Sequence, residues 1–237
     1  MASGRSLWSN SRFTFFDIAM QQKLHTYEGR EITVTYNLKR CVHAAECLAA
    51  APEVFDSMAI PWIQPENADV NEVIEAVQRC PTGALHYALK SGAEGEAPNA
   101  ENTVRPQPNG PLYVRGTLRL VAEDGSEILR DTRMALCRCG ASNNKPFCDN
   151  RHNAIRFRAG EELSEGWMAR DPKAEGTEVL TITPVKDGPL EIKGLMEVRD
   201  STGRSLCAGS SAEFCRCGQS NAKPFCDATH QLVEFKT

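Results

Sequence analysis

Residues 31–36, EITVTY, alternate polar and apolar so that Ile32, Val34 and Tyr36 share one face, a pattern that predicts a strand. Farther along the period changes. Val70, Val73, Ile74 and Val77 recur at helical spacing, Asp69 precedes them as an N-cap, and Glu72 supplies the second half of a capping box. Pro81 fits the stop, and residues 84–89 read as a second strand, giving a small α+β domain over residues 21–90. Residues 91–109, SGAEGEAPNAENTVRPQPN, hold almost no large apolar residue and read as a linker. Short apolar runs follow at 112–114 and 118–121, before a turn signal at Asp124-Gly125. The same pattern returns with Ile192, residues 195–198 and a turn at Thr202-Gly203. Both stretches predict short strands in a hairpin-like arrangement ahead of a cysteine-bearing loop.

The second stretch is a copy of the first. GPLYVRGTLRL at 110–120 aligns with GPLEIKGLMEV at 188–198, an offset of 78, and KPFCD stands at both 145–149 and 223–227. Cys137, Cys139, Cys148 and His152 recur in the same register as Cys215, Cys217, Cys226 and His230. A unit of about fifty residues with so few apolar side chains cannot build a sufficient core alone; metal binding and pairing are the usual remedies. The chain therefore divides into a tail or overlong start (1–20), a first domain (21–90), a linker (91–109), repeat one (110–158), a connector with a strand (159–187) and repeat two (188–237). The two repeats are expected to pack as an intrachain pseudo-dimer.

Composition narrows the function. With 41% hydrophobic and 24% charged residues and a formal net charge of -4, the chain has no basic field for nucleic acid or an anionic membrane. No apolar run reaches the roughly 20 residues of a membrane span, and MASGRSLWSN lacks the h-region of a signal peptide. Ten cysteines fall well below the roughly 8–10% of disulfide scaffolds. Their clustering at metal-like spacings favours ligation and a cytoplasmic location.

Each repeat places C-x-C first, a third Cys nine residues after the second, and His four residues later. Zinc accepts three thiolates and an imidazole, although structural zinc sites more often use C-x2-4-C knuckles. The tight C-x-C pair suits two ligands on one iron of a cluster. Spacing by itself leaves both metals open and leans to iron–sulfur.

Both loops, CRCGASNNKPFCDNRH (137–152) and CRCGQSNAKPFCDATH (215–230), fit C-x-C-x2-S-x3-P-x-C-D-x2-H. That signature resembles the CDGSH iron–sulfur (NEET) family, over about 110–158 and 188–237. The resemblance implies a β-rich fold and a [2Fe–2S] cluster in each repeat. Cys137 and Cys139 would hold one iron, and Cys148 and His152 the other; Cys215, Cys217, Cys226 and His230 would hold the second cluster likewise. Neither copy keeps the family's Gly-Ser before the histidine, reading Asn150-Arg151 and Ala228-Thr229 instead. Ser142 and Ser220 are expected to donate to sulfur, Pro146 and Pro224 to stiffen the loop, and Asp149 and Asp227 to cap the short helix carrying the histidine. Lys145 and Lys223 either tune the potential, dock a partner or stand solvated.

Upstream, CVHAAEC (41–47) and Cys80-Pro81 match three thiolates of a bacterial ferredoxin pattern whose central cysteine is here Ala44. Residues 23–90 look like a divergent single-cluster ferredoxin-like domain. Cys41, Cys47 and Cys80 suit a [3Fe–4S] cluster, or a [4Fe–4S] cluster whose fourth iron takes His43, water or an outside ligand. Cys207 falls outside every set and reads as a partly buried free thiol. No G-x-G-x-x-G, P-loop or Ser-His-Asp arrangement is visible. The expected function is electron transfer or cluster handling by a monomer, with a redox protein or a cluster acceptor as partner and no catalytic residues. A zinc-built interaction module and an electron-transfer subunit of a multi-chain oxidoreductase are the alternatives.

Overall fold

A computed structural model describes residues 24–92, 95–163 and 177–237. The expectation for residues 1–20 lies outside them, as does part of the connector.

The first domain carries an antiparallel sheet in the order β1 (Leu24–Glu28), β2 (Ile32–Asn37), β3 (Leu85–Leu89). Ile32, Val34 and Tyr36 turn inward, as their alternation requires, and all three are buried. Helix α1 (Glu46–Ala50) is short; α2 (Val70–Arg79) buries Val73, Ala76 and Val77 against the sheet. The start of α2 is set locally: Asp69 accepts from Asn71 N, and Asp69 N donates to Glu72, closing the expected capping box. Trp62 meets Tyr36 edge-on at 4.9 Å, inside a core that includes Val54, Phe55 and Ile63.

The repeats build a second sheet together. Repeat one is the hairpin β5 (Leu112–Val121) and β6 (Glu127–Leu136), and repeat two is β8 (Leu190–Arg199) and β9 (Ser205–Phe214), each turning where the sequence places the turn. The two apolar runs expected as separate short strands are one continuous strand in each copy. Each strand bulges at an aligned glycine, Gly116 at φ +132° and Gly194 at φ +125°. A Cβ at Gly194 would stand 2.4 Å from Val179 O, so the close backbone approach requires glycine.

Two short strands join the hairpins. β4 (Thr103–Pro106) runs antiparallel to the first half of β5 and parallel to the far end of β8. β7 (Val179–Pro184) runs antiparallel to the first half of β8 and parallel to the far end of β5. The pairing closes in a ring, β5–β4–β8–β7–β5, around one core of Val104, Leu118, Leu120, Ile182, Ile192 and Val198. β4 lies inside residues 91–109, so that segment is a linker in composition and in part a structural strand. Cys207 is fully buried in this core, a correction to the partial burial expected.

The first domain docks on repeat one through charge. Arg133 on β6 is buried and donates to Val77 O, Cys80 O (3.1 Å) and Leu85 O (3.0 Å), while pairing with Glu96. Arg40, also buried, pairs with Asp131 and donates to Thr82 O and Arg133 O at 2.6 and 2.7 Å. His86 completes the network, 2.7 Å from Glu96 and 3.3 Å from Asp131. These carboxylates and the burial around them act in opposite senses, and the carboxylates prevail: the His86 pKa is raised to about 9.

Candidate metal centres

Each ligand loop hangs from the end of a hairpin and is pinned back to it. Cys137 N donates to Pro146 O at 2.8 Å and Cys148 N to Ala135 O at 2.9 Å; Cys215 and Cys226 repeat these bonds with Pro224 and Glu213. Phe147 and Phe225 plug the loops into the shared core. Ser142 donates to Phe147 O at 2.7 Å and Ser220 to Phe225 O at 2.7 Å. This corrects the expectation that these hydroxyls donate to sulfur, because a loop carbonyl takes them. The donors to sulfur are backbone amides, Asn150 N to Cys148, Ala228 N to Cys226 and Gln219 N to Cys217, each at 3.4 Å.

Asp149 accepts from Asn143 N (2.8 Å) and Arg151 N (3.2 Å), and Asp227 from Asn221 N (2.8 Å) and Thr229 N (3.0 Å). Each carboxylate thereby braces the loop and takes the first N–H of the helix bearing the histidine, α3 (Arg151–Ala154) or α4 (Thr229–Leu232), from one residue before the N-cap, which is Asn150 or Ala228 and not the aspartate expected. Where the resemblance expects glycine, Asn150 takes φ +71° and Ala228 φ +65°. The turn survives in both copies, easily at asparagine and with strain at alanine. Lys145 folds back onto Ser142 O at 2.8 Å, and Lys223 onto Ser220 O, rather than standing free in solvent.

The donor atoms come in pairs. Cys137 Sγ lies 3.7 Å from Cys139 Sγ, and Cys148 Sγ 3.4 Å from His152 Nδ1. In repeat two the distances are 3.8 and 3.3 Å. Two thiolates on one tetrahedral metal at about 2.3 Å stand about 3.8 Å apart, so each Cys pair has the span of two ligands on one ion. Among the described residues, no three His, Cys, Asp or Glu side chains converge on a single metal-ion position. In each C-x-C pair one thiol, Cys137 or Cys217, is held well below its ordinary range by the other thiol's hydrogen bond and by loop amides. Burial pushes Cys148 up to about 12 and lowers the His152 pKa, so the imidazole is neutral and available to a metal. His152 is buried, whereas His230 is half-exposed.

The repeats' loops also meet each other. A Cβ on Gly140 would stand 2.6 Å from Cys217 O, and one on Gly218 2.6 Å from Cys139 O. This reciprocal contact places the two C-x-C segments back to back.

In the first domain Cys41 follows the turn after β2, Cys47 sits on α1 and Cys80 ends α2. All three border one cavity with Tyr36, Trp62 and Ala44. Burial, then the neighbouring Cys80, pushes Cys47 up to about 11. Burial works the same way on Cys80, but Thr82 and Arg133 outweigh it and hold that thiol low. His43 is exposed, with φ +51°, and its N–H donates to Cys41 Sγ at 3.4 Å.

Residues 109–153 and 187–231 each match the family model described as iron-binding zinc finger CDGSH type, and residues 27–90 match the one described as divergent 4Fe-4S mono-cluster. The chain thus carries a divergent mono-cluster domain followed by two CDGSH-type repeats. These domains mark it as an iron–sulfur protein. Over 64 residues the chain is 36% identical to the uncharacterized protein YjdI of Escherichia coli strain K12, covering 27% of this chain and 84% of that protein. The YjdI protein of E. coli O157:H7 matches equally. No solved structure matches the chain. Among the described residues, no helix is long and apolar enough to cross a membrane.

Sequence reasoning missed the interface groups Arg40, Asp131, Arg133, His86 and Glu96. A signal for two of them, and for Asn144 and Asn150 besides, was present at the offset of 78: Asp131, Arg133, Asn144 and Asn150 of repeat one correspond to Gly209, Ser211, Ala222 and Ala228. Only the copy that meets the first domain keeps the long polar side chains.

Proposed function

We propose that this chain is an electron carrier with three iron–sulfur clusters. Cys137, Cys139, Cys148 and His152 would hold one [2Fe–2S] cluster and Cys215, Cys217, Cys226 and His230 a second. Cys41, Cys47 and Cys80 would hold a [3Fe–4S] or [4Fe–4S] cluster. The observation that carries this reading is the division of each repeat's four donors into two pairs at 3.3–3.8 Å. A dinuclear cluster uses two such pairs, whereas mononuclear zinc draws all four donors onto one ion.

When bound, such clusters supply reversible one-electron storage. The chain's residues do the rest. Backbone amides at Asn150, Ala228 and Gln219 donate to ligand sulfurs and so stabilise added negative charge. A neutral imidazole in place of a thiolate raises the potential and couples it to protonation. In this reading the ring of β4, β5, β7 and β8 is an intrachain pseudo-dimer, the first domain is ferredoxin-like, and a monomer passes electrons to a redox partner rather than catalysing a reaction itself.

Visible and EPR spectra, with iron, zinc and sulfide counts, test the proposal. About seven or eight irons with matching sulfide and no zinc support it; one or two zincs without sulfide would replace it with the zinc-built module.

A further inference from the structure

We infer that repeat one is the middle station of an intrachain electron route, and that Asn144 and Asn150 clamp the first domain's ligand loop against it. This rests on the three-cluster reading above. Asn150 Nδ2 donates to Val42 O at 2.7 Å and Asn144 Nδ2 to Lys39 O at 2.8 Å, so both amides grip the backbone on either side of Cys41. Val42 shares one small buried cluster with Cys148 and Ala135. The backbone N–H of Asn150 meanwhile donates to Cys148 Sγ at 3.4 Å. One asparagine therefore joins a residue bonded to Cys41 with a ligand sulfur of repeat one, through two hydrogen bonds and its own short side chain.

On its other side repeat one meets repeat two through Cys139 O and Gly218, and Gly140 and Cys217 O. The Cys148 side of repeat one thus faces the first domain, and its Cys139 side faces repeat two. Repeat two carries alanine at both clamp positions, Ala222 and Ala228, and its His230 is half-exposed beside Lys186, Lys236 and Phe235. Repeat two is the end open to a partner.

With clusters bound, one electron would pass from the group held by Cys41, Cys47 and Cys80 to that held by Cys137, Cys139, Cys148 and His152, and on to that held by Cys215, Cys217, Cys226 and His230. No bond forms or breaks. A one-electron protein donor re-reduces the first domain, and a one-electron acceptor protein oxidises repeat two.

The test is the double variant Asn144→Ala/Asn150→Ala in the full, cluster-loaded chain. It installs the residues that repeat two already carries in a loop of the same form, where Ala228 adopts φ +65°. Iron, sulfide and the visible spectrum are expected unchanged. Amide exchange at residues 39–47 is expected to quicken about tenfold, the weight of two neutral hydrogen bonds in a docking equilibrium. After partial reduction by a pulse of photoreduced flavin, freeze-quench EPR should show electron redistribution between the first domain and repeat one slowed about tenfold or more. The reverse change in repeat two, Ala222→Asn/Ala228→Asn, should leave that rate as in the parent. An unchanged redistribution rate in the asparagine-to-alanine variant overturns the route, whatever the exchange shows. A parent chain with zinc and no sulfide overturns the three-cluster reading instead.

Discussion

Arg133→Met tests whether a buried cation holds the first domain to the repeats. The side chain is 1% exposed and emerges from β6, yet its partners are Val77 O, Cys80 O, Leu85 O and the Glu96 carboxylate. Methionine preserves most of the buried stem, so the change isolates the guanidinium. Removing one member of a buried pair costs about 3–5 kcal/mol, and each stranded carbonyl about 1–3 kcal/mol, terms that overlap rather than add. Glu96 keeps His86 and Thr132 as partners, which lowers the total. The expected loss is about 3–4 kcal/mol in urea unfolding of the loaded protein, followed by circular dichroism at pH 6.5. Combined with Glu96→Gln, it should show a coupling of about 1–3 kcal/mol, because the two side chains share one contact. A loss under about 1 kcal/mol, or strict additivity with Glu96→Gln, would refute the reasoning.

Four further outcomes are expected. The raised pKa of His86 means that its stabilisation is complete below about pH 6.5 and lost as pH rises through about 9. With one-third of the side chain exposed, the effect is about 1–2 kcal/mol, read as a drop in urea midpoint between pH 6 and 9.5 that His86→Gln abolishes. Ala228→Gly should stabilise by about 0.5–1 kcal/mol by relieving left-handed strain, whereas Asn150→Gly should give no gain because it loses the bond to Val42 O; thermal melts compare them. Gly218→Ala drives a Cβ into Cys139 O and should cost about 2–4 kcal/mol by the same melts. His152→Cys should slow acid bleaching of the visible spectrum and lower that site's potential; unchanged acid stability in this variant and in the His152/His230 double variant would sink the imidazole argument.

What could be read ahead of the structure was local. The capping box at Asp69, the alternation of β2, the turns at Asp124-Gly125 and Thr202-Gly203 and the grouping of the donors all depend on neighbours within a few residues. The long strands were harder to see. Gly116 and Gly194 interrupt the apolar runs and look like boundaries, when each marks a bulge where a strand changes partner. β4 escaped because four residues ending in Pro106, amid linker-like sequence, give no periodic signal of their own. Arg40, Asp131 and Arg133 looked like ordinary surface charge, since nothing near them in the chain says what will cover them. Only the contrast between the copies marked the covered face.

The ring formed by β4, β5, β7 and β8 has a consequence for synthesis. The far half of β5 pairs with β7, from Thr117–Val179 to Leu120–Ile182, and β4 reaches β8 at Thr103–Glu197 and Val104–Val198. A ribosome making about 5–20 residues per second exposes the first hairpin for several seconds before its missing edges arrive. During that interval the first ligand loop hangs from a sheet whose β7 edge is still missing. Completion of the second hairpin closes the ring and the back-to-back contact at Gly140 and Gly218. The order of translation is thus the order in which the three ligand sets emerge, first domain, then first repeat, then second, and only the last closes the ring.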